Sequence, residues 1–147
     1  MRTIDERTGL EVLSENECLL LLGRTTVGRL AVVDEGRPMV FPVNFRRDES
    51  TIVFRTDEGM KLDRVLEGGL VAFEVDELDP QTHAGWSVVA TGRAHEVTDP
   101  EALAEVARLG VRPWPTGPKS RYVRIVPDTI EGRRLLRLDD AQYETES

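Results

Sequence analysis

Along most of this chain apolar and polar residues alternate with period two, and the alternation stops wherever turn-forming residues cluster. Residues 27–33, 38–45 and 51–56 are extended runs joined by short polar connections. The first connection, Asp34-Glu35-Gly36, has hairpin chemistry, and residues 46–50 form a second polar turn. These three runs predict an antiparallel meander. In residues 70–77, Val71, Phe73 and Val75 alternate with Ala72, Glu74 and Asp76, which predicts a fourth strand with one buried face. After the loop residues 79–83, the longest extended segment covers 86–97 and contains Gly92, where a bend or bulge is expected. A last strand covers 122–126 and resumes at 129–136 beyond Pro127.

Helical periodicity is confined to short stretches. Ser14 and Glu17 have capping-box spacing and open a helix through Cys18 and Leu22, with Gly23 placed as a left-handed stop. That helix is too apolar for a surface element and is expected to plug one end of the core. Leu62, Val65 and Leu66 at i, i+3 and i+4 predict a helix over 60–67, ended by Gly68-Gly69. Asp99 as cap and Pro100 at the first helical position start another, running to Leu109 and closed by Gly110. Residues 112–120, with three prolines, are expected to be irregular, and residues 1–12 and 139–147 to be loose tails. The whole reads as one domain over 1–147. It is a β-dominant α+β chain whose six to seven strands, mostly antiparallel, and two or three short helices suit a small closed or split β-barrel better than a sandwich.

Composition narrows the function. The 147 residues suffice for a real core. A net charge of −8, from 27 acidic against 19 basic residues, opposes a nucleic-acid footprint but leaves room for a local anion pocket. The single cysteine, Cys18, lies in the apolar helix and has no internal partner for a disulfide. The charged N-terminus lacks the apolar core of a signal peptide, and no run approaches the roughly 20 apolar residues needed to span a bilayer. A cytoplasmic, non-membrane protein is the expectation.

The chemistry-bearing residues concentrate between positions 39 and 61. A strand ends in Arg55-Thr56, and Gly59 and Lys61 follow at the start of a helical pattern. A guanidinium, a hydroxyl, a glycine and an ammonium at a helix start compose a cradle for a phosphate dianion. Strand geometry points Arg55 and Thr56 to opposite faces, so a shared anion requires the strand to end or twist at Thr56. A solvated turn is the competing reading, since Asp57 and Glu58 suit a helix N-terminus equally well. Elsewhere the signals are weaker. His83 and His95 read as surface or interface residues. No cluster has zinc spacing, and no serine lies in a Gly-x-Ser-x-Gly elbow. Glu74, Asp76 and Glu77 form a charged strand face that is more simply solvated than catalytic.

The segment Phe54-Arg55-Thr56-Asp57-Glu58-Gly59-Met60-Lys61 resembles the FMN-phosphate element of the pyridoxamine 5′-phosphate oxidase-like split barrels, one residue shorter. In that family the preceding strand packs under the flavin ring. Pro42-Val43-Asn44-Phe45 stands in its place here, with Asn44 as the polar group for the ring. Trp114 resembles the tryptophan before the family's last strand, and Trp86 opens a segment similar to its long interface strand. The resemblance covers about residues 12–136 and implies a homodimer with FMN at the subunit interface, acting on a small-molecule substrate. It implies Pro42, Val43, Asn44, Arg55, Thr56, Gly59 and Lys61 as cofactor contacts, with Trp86 and Trp114 offered across the interface. The family's basic residues are missing from residues 40–45, and the C-terminal Arg-x-His that grips pyridoxal phosphate is absent. Vitamin B6 oxidation is therefore not expected. The chain looks like the shorter relatives that hold FMN, deazaflavin coenzyme or haem, either as oxidoreductases or as non-catalytic carriers and sensors.

Overall fold

The computed structural model describes residues 3–57, 62–112 and 120–135. Its elements, in chain order, are β1 (Thr3–Ile4), β2 (Glu11–Leu13), α1 (Glu15–Gly23), β3 (Val27–Asp34), β4 (Arg37–Asp48), β5 (Thr51–Asp57), β6 (Glu67–Leu78), β7 (Gly85–Glu96), α2 (Pro100–Ala107) and β8 (Ser120–Leu135). All strand pairings are antiparallel, in the order β1-β2-β8-β5-β4-β3-β6-β7, and β7 pairs again with β8. Six strands thus close a ring, and β1 and β2 extend it outward from the far end of β8. The split-barrel expectation holds. The strand count rises to eight among the described residues because residues 3–4 and 11–13, most of them in the expected loose lead-in, join the sheet.

The inward positions build one core. Leu30, Val32, Val43, Phe45, Ile52, Phe54, Val71, Phe73, Val75, Val88 and Ile125 are buried inside the ring. Phe45 and Phe73 meet edge to face with ring centroids 4.8 Å apart. Gly28 makes room for them, since a Cβ there would stand 2.3 Å from the Phe73 ring. The α1 helix closes one end with Cys18, Leu21 and Leu22, as its composition suggested, although Leu20 faces solvent. Its capping box is complete: the Glu17 N–H donates to the Ser14 hydroxyl and the Ser14 N–H to the Glu17 carboxylate, both at 3.2 Å.

Three local expectations are revised. Gly23 is not a left-handed stop. Arg24, right-handed, follows it, and the Thr25 hydroxyl donates to the Leu21 and Leu22 carbonyls that the helix end leaves over. The helix over 60–67 is, in its described part, a single turn: Leu66 N–H bonds Leu62 C=O at 2.9 Å and Gly69 N–H bonds Val65 C=O at 2.8 Å. Leu62, Val65 and Leu66 bury themselves within that turn, and a bulge between Glu67 and Gly69 draws the chain straight into β6. Residues 58–61 lie outside the described residues. Finally, Pro127 does not interrupt the last strand. Gly92 pairs with Pro127 while Thr91 pairs with Thr129, so a bulge absorbs the proline. A Cβ on Gly92 would stand 2.1 Å from the Val126 carbonyl, which explains the glycine.

Outside the ring, α2 covers one wall. Asp99 caps it by accepting from the Ala102 N–H at 3.1 Å. Beneath it Val53, Val106 and Val111 form a second, smaller core with Val97, Leu103, Leu109 and Tyr122.

Candidate functional site at the parting of β4 and β5

Strands β4 and β5 are hydrogen-bonded neighbours only from Asp48–Thr51 to Phe45–Phe54. Beyond that pair they part. Residues 37–44 of β4 continue against β3, and residues 55–57 of β5 continue against β8. Pro42, Val43 and Asn44 therefore lie on one lip of the split, with Arg55 and Thr56 on the other. Arg124 of β8 ties the turn end of this four-pair hairpin by donating to Asp48 at 2.9 Å and to the Thr51 hydroxyl at 2.6 Å. The open end follows two different neighbours.

Alternation decides which groups each lip presents. Val43 points inward and is fully buried, so it reaches the split only through its main chain. Pro42 is exposed and Asn44 half-buried, and both face outward. On β5, Thr56 is buried on the inner side, whereas Arg55 points to the α2 side. The strand does not end or twist at Thr56; it runs on to Asp57, paired with Ser120. Arg55 and Thr56 accordingly occupy opposite faces. The Arg55 guanidinium lies 4.6 Å from the centre of the Tyr122 ring and donates to the Val111 carbonyl at 3.1 Å. It thereby ties the end of β5 to the segment that leaves α2. Gly59 and Lys61, and likewise Trp114, lie outside the described residues. Trp86 belongs to the core cluster with its side chain inward, and is not on the outward face with Asn44.

Two arrangements escaped the sequence reading, although Pro42 and Glu74 were singled out in it separately. Arg121 stands directly opposite Thr56 on β8, where it binds Asp63 at 2.6 Å and approaches Glu96 at 3.7 Å. Only strand register reveals it, because 65 positions of sequence separate it from Thr56 (121 − 56). The second is an outward row formed by Pro42, Arg29, Glu74 and Val89, neighbours on successive strands β4, β3, β6 and β7. In it Arg29 donates to Glu74 at 3.1 Å and to Asp76 at 3.0 Å. Burial, with the adjoining Asp76 carboxyl, pushes Glu74 up to about 7 against the pull of Arg29. The charged face read as solvated is thus a linked carboxyl pair, while Glu77 faces the other way.

His83 sits in the exposed β6–β7 loop and His95 on an exposed position of β7, consistent with surface roles. Among the described residues no three His, Cys, Asp or Glu side chains are grouped to hold a metal. No helix among them is long and apolar enough to cross a membrane.

A parted six-strand ring defines a class of barrel, and comparison places the chain within it. The family model described as pyridoxamine 5′-phosphate oxidase matches residues 14–134, so the chain belongs to that family. It is similar to the structure of an FAD binding protein from Mycobacterium smegmatis, with 38% identity over 84% of this chain and 97% of the other and a TM-score of 0.75. An FAD-binding protein from Mesorhizobium loti shares 26% identity over 85% of this chain and 96% of its own, with a TM-score of 0.68. An uncharacterized protein of Mycobacterium tuberculosis is 34% identical over 129 residues, 84% of each chain.

Proposed function

We propose that this protein binds a flavin in the split between β4 and β5, at the interface of a homodimer, and serves as a cytoplasmic flavin-dependent oxidoreductase. The observation that carries the reading is the parting of the two strands beyond Phe45 and Phe54, with Asn44 on one lip and Thr56 on the other. The flavin-binding neighbours at 38% and 26% identity support the cofactor class.

The residues fit such a group. Pro42 and Asn44 offer a flat outward floor with one amide, and the main chain of Val43 lies between them. Thr56, Gly59 and Lys61 are assigned to the phosphate and ribityl end, while Arg55, on the opposite face and bound to the Val111 carbonyl, is assigned instead to anchoring the end of β5. FMN is the proposed form, its phosphate being the dianion that the Thr56 hydroxyl and the Lys61 ammonium suit. When bound, the flavin supplies the two-electron chemistry, and the polypeptide supplies binding, orientation and field.

The homodimer is supported by the outward face of β3, β4 and β6. Val33, Val40 and Leu70 are 64%, 63% and 55% exposed there, around Ala31 and Ala72, which are neighbours in register with each other. Such an apolar face suits a two-fold copy of itself. Trp114 is assigned to the partner's cofactor. A small-molecule substrate completes the reading.

The test is a parallel titration of the cofactor-free protein with FMN, FAD, deazaflavin coenzyme and haem, followed by quenching of flavin fluorescence. Saturable FMN binding is expected. A colourless protein indifferent to micromolar flavin overturns the proposal. Reduction of the bound flavin by a nicotinamide donor, with substrate-dependent reoxidation, separates an enzyme from a carrier.

A further inference from the structure

At the end of the barrel closed by α1, four neighbours in register form a row across the inner face: Glu77 of β6, Trp86 of β7, Arg134 of β8 and Glu11 of β2. Between this row, the C-terminal end of α1 and the β6–β7 loop opens a cavity of about 910 Å³. That is within the roughly 300–1,000 Å³ usual for small-molecule sites. Leu21, Leu78 and Trp86 supply its apolar wall, and Arg24 joins from the cap of α1.

Charge decides what fits. The lining carries two guanidiniums, Arg24 and Arg134, and two carboxylates, Glu77 and Asp79. Arg134 is already engaged by Glu11 at 3.4 Å and Glu17 at 3.7 Å. Asp79 is committed to its own loop, accepting from the Gln81 N–H at 2.9 Å and the Thr82 N–H at 3.4 Å, which holds its carboxyl below its usual range. Among the described residues Arg24 and Glu77 have no such partner. One cation and one anion, not paired with each other, therefore line the same cavity as the apolar side chains of Leu21, Leu78 and Trp86. A simple anion would meet Glu77, and a simple cation would meet Arg24; a ligand bearing both charges meets neither conflict.

We propose that this barrel mouth is a binding site for a free α-amino acid with a large apolar or aromatic side chain. Its carboxylate pairs with Arg24, its ammonium with Glu77, and its side chain lies on Leu21, Leu78 and Trp86. The site is separate from the β4–β5 split and does not rest on the flavin reading.

Calorimetric titration of the full chain with L-phenylalanine tests it, with 3-phenylpropionate and L-phenylalaninamide as analogues lacking one charge each. Saturable binding at one site per chain is expected, with each analogue weaker by about tenfold or more, the scale of one lost charge-assisted hydrogen bond. Arg24→Gln and Glu77→Gln each weaken L-phenylalanine by a similar factor. Glu77→Gln also strengthens 3-phenylpropionate by removing the repulsion, an effect misfolding would not produce. No saturable heat with L-phenylalanine, 3-phenylpropionate binding as tightly as the amino acid, or both variants binding L-phenylalanine like the parent would overturn the site.

Discussion

Two outward walls of the same barrel are built from similar residues and end differently. On the wall of β5 and β8, Val53 and Tyr122 are covered by α2, and with Val106 and Val111 they make a second core. On the wall of β3, β4 and β6, Val33, Val40 and Leu70 have no covering element among the described residues. The apolar pattern of a strand thus fixes only that its face avoids water. What covers the face depends on whether the chain has an amphipathic helix to fold back. Under α2 the cover is internal, and it holds Arg55 at the end of β5. On the open wall no described element supplies a cover, and that wall carries the dimer proposal.

The comparison can be broken most sharply by a buried charge. Val106→Asp should cost about 3–5 kcal/mol, because the carboxylate enters an apolar core whose flanking guanidinium, Arg55, is already bound to the Val111 carbonyl and the Tyr122 ring. Chemical denaturation measures it, and a loss below about 1 kcal/mol would deny that α2 seals a true core. Val40→Asp on the open wall should leave chain folding within about 0.5 kcal/mol but convert dimer to monomer in light scattering. An unchanged dimer would remove this wall from the interface. Tyr122→Leu should cost about 1 kcal/mol through the lost ring–guanidinium contact, read in the same denaturation assay.

The smallest effect is one of pH. Glu74 titrates near 7 in the folded protein against an ordinary value of 4.5. The folded state therefore holds a proton that the unfolded chain has released, and this contribution to stability fades as pH rises from about 4.5 to about 7. Glu74→Gln should flatten that decline, so its melting temperature relative to the parent rises with pH across the window. A constant difference between the two proteins would contradict the raised Glu74 carboxyl.

Much of the fold was legible because it is local. The capping box at Ser14, the Asp99-Pro100 helix start, the Asp34-Glu35-Gly36 hairpin and the Gly92 bulge are each written in a few adjacent residues. What local pattern misjudged was decided at long range. A single turn satisfies the spacing of Leu62, Val65 and Leu66 once β7 claims the residues that follow. Pro127 looks like a strand end until Gly92 across the sheet supplies the compensating bulge. For the site, the sequence singled out residues 42–44 and 55–56, which stand on the two lips of the split, but neither the parting of the strands nor the facing of every side chain was read. The opposite facing of Arg55 and Thr56 followed from alternation. The inward burial of Trp86 and Val43, the Arg29–Glu74–Asp76 linkage and the place of Arg121 depend on register among strands distant in the chain.

The central claim concerns the split, and amide chemical-shift mapping during FMN titration addresses it directly. The largest perturbations should fall on the amides of residues 43–44 and 55–57, on the two lips beyond the Phe45–Phe54 pair. Shifts confined to the barrel mouth around Arg24, Glu77 and Trp86, or no saturable shifts at all, would contradict it.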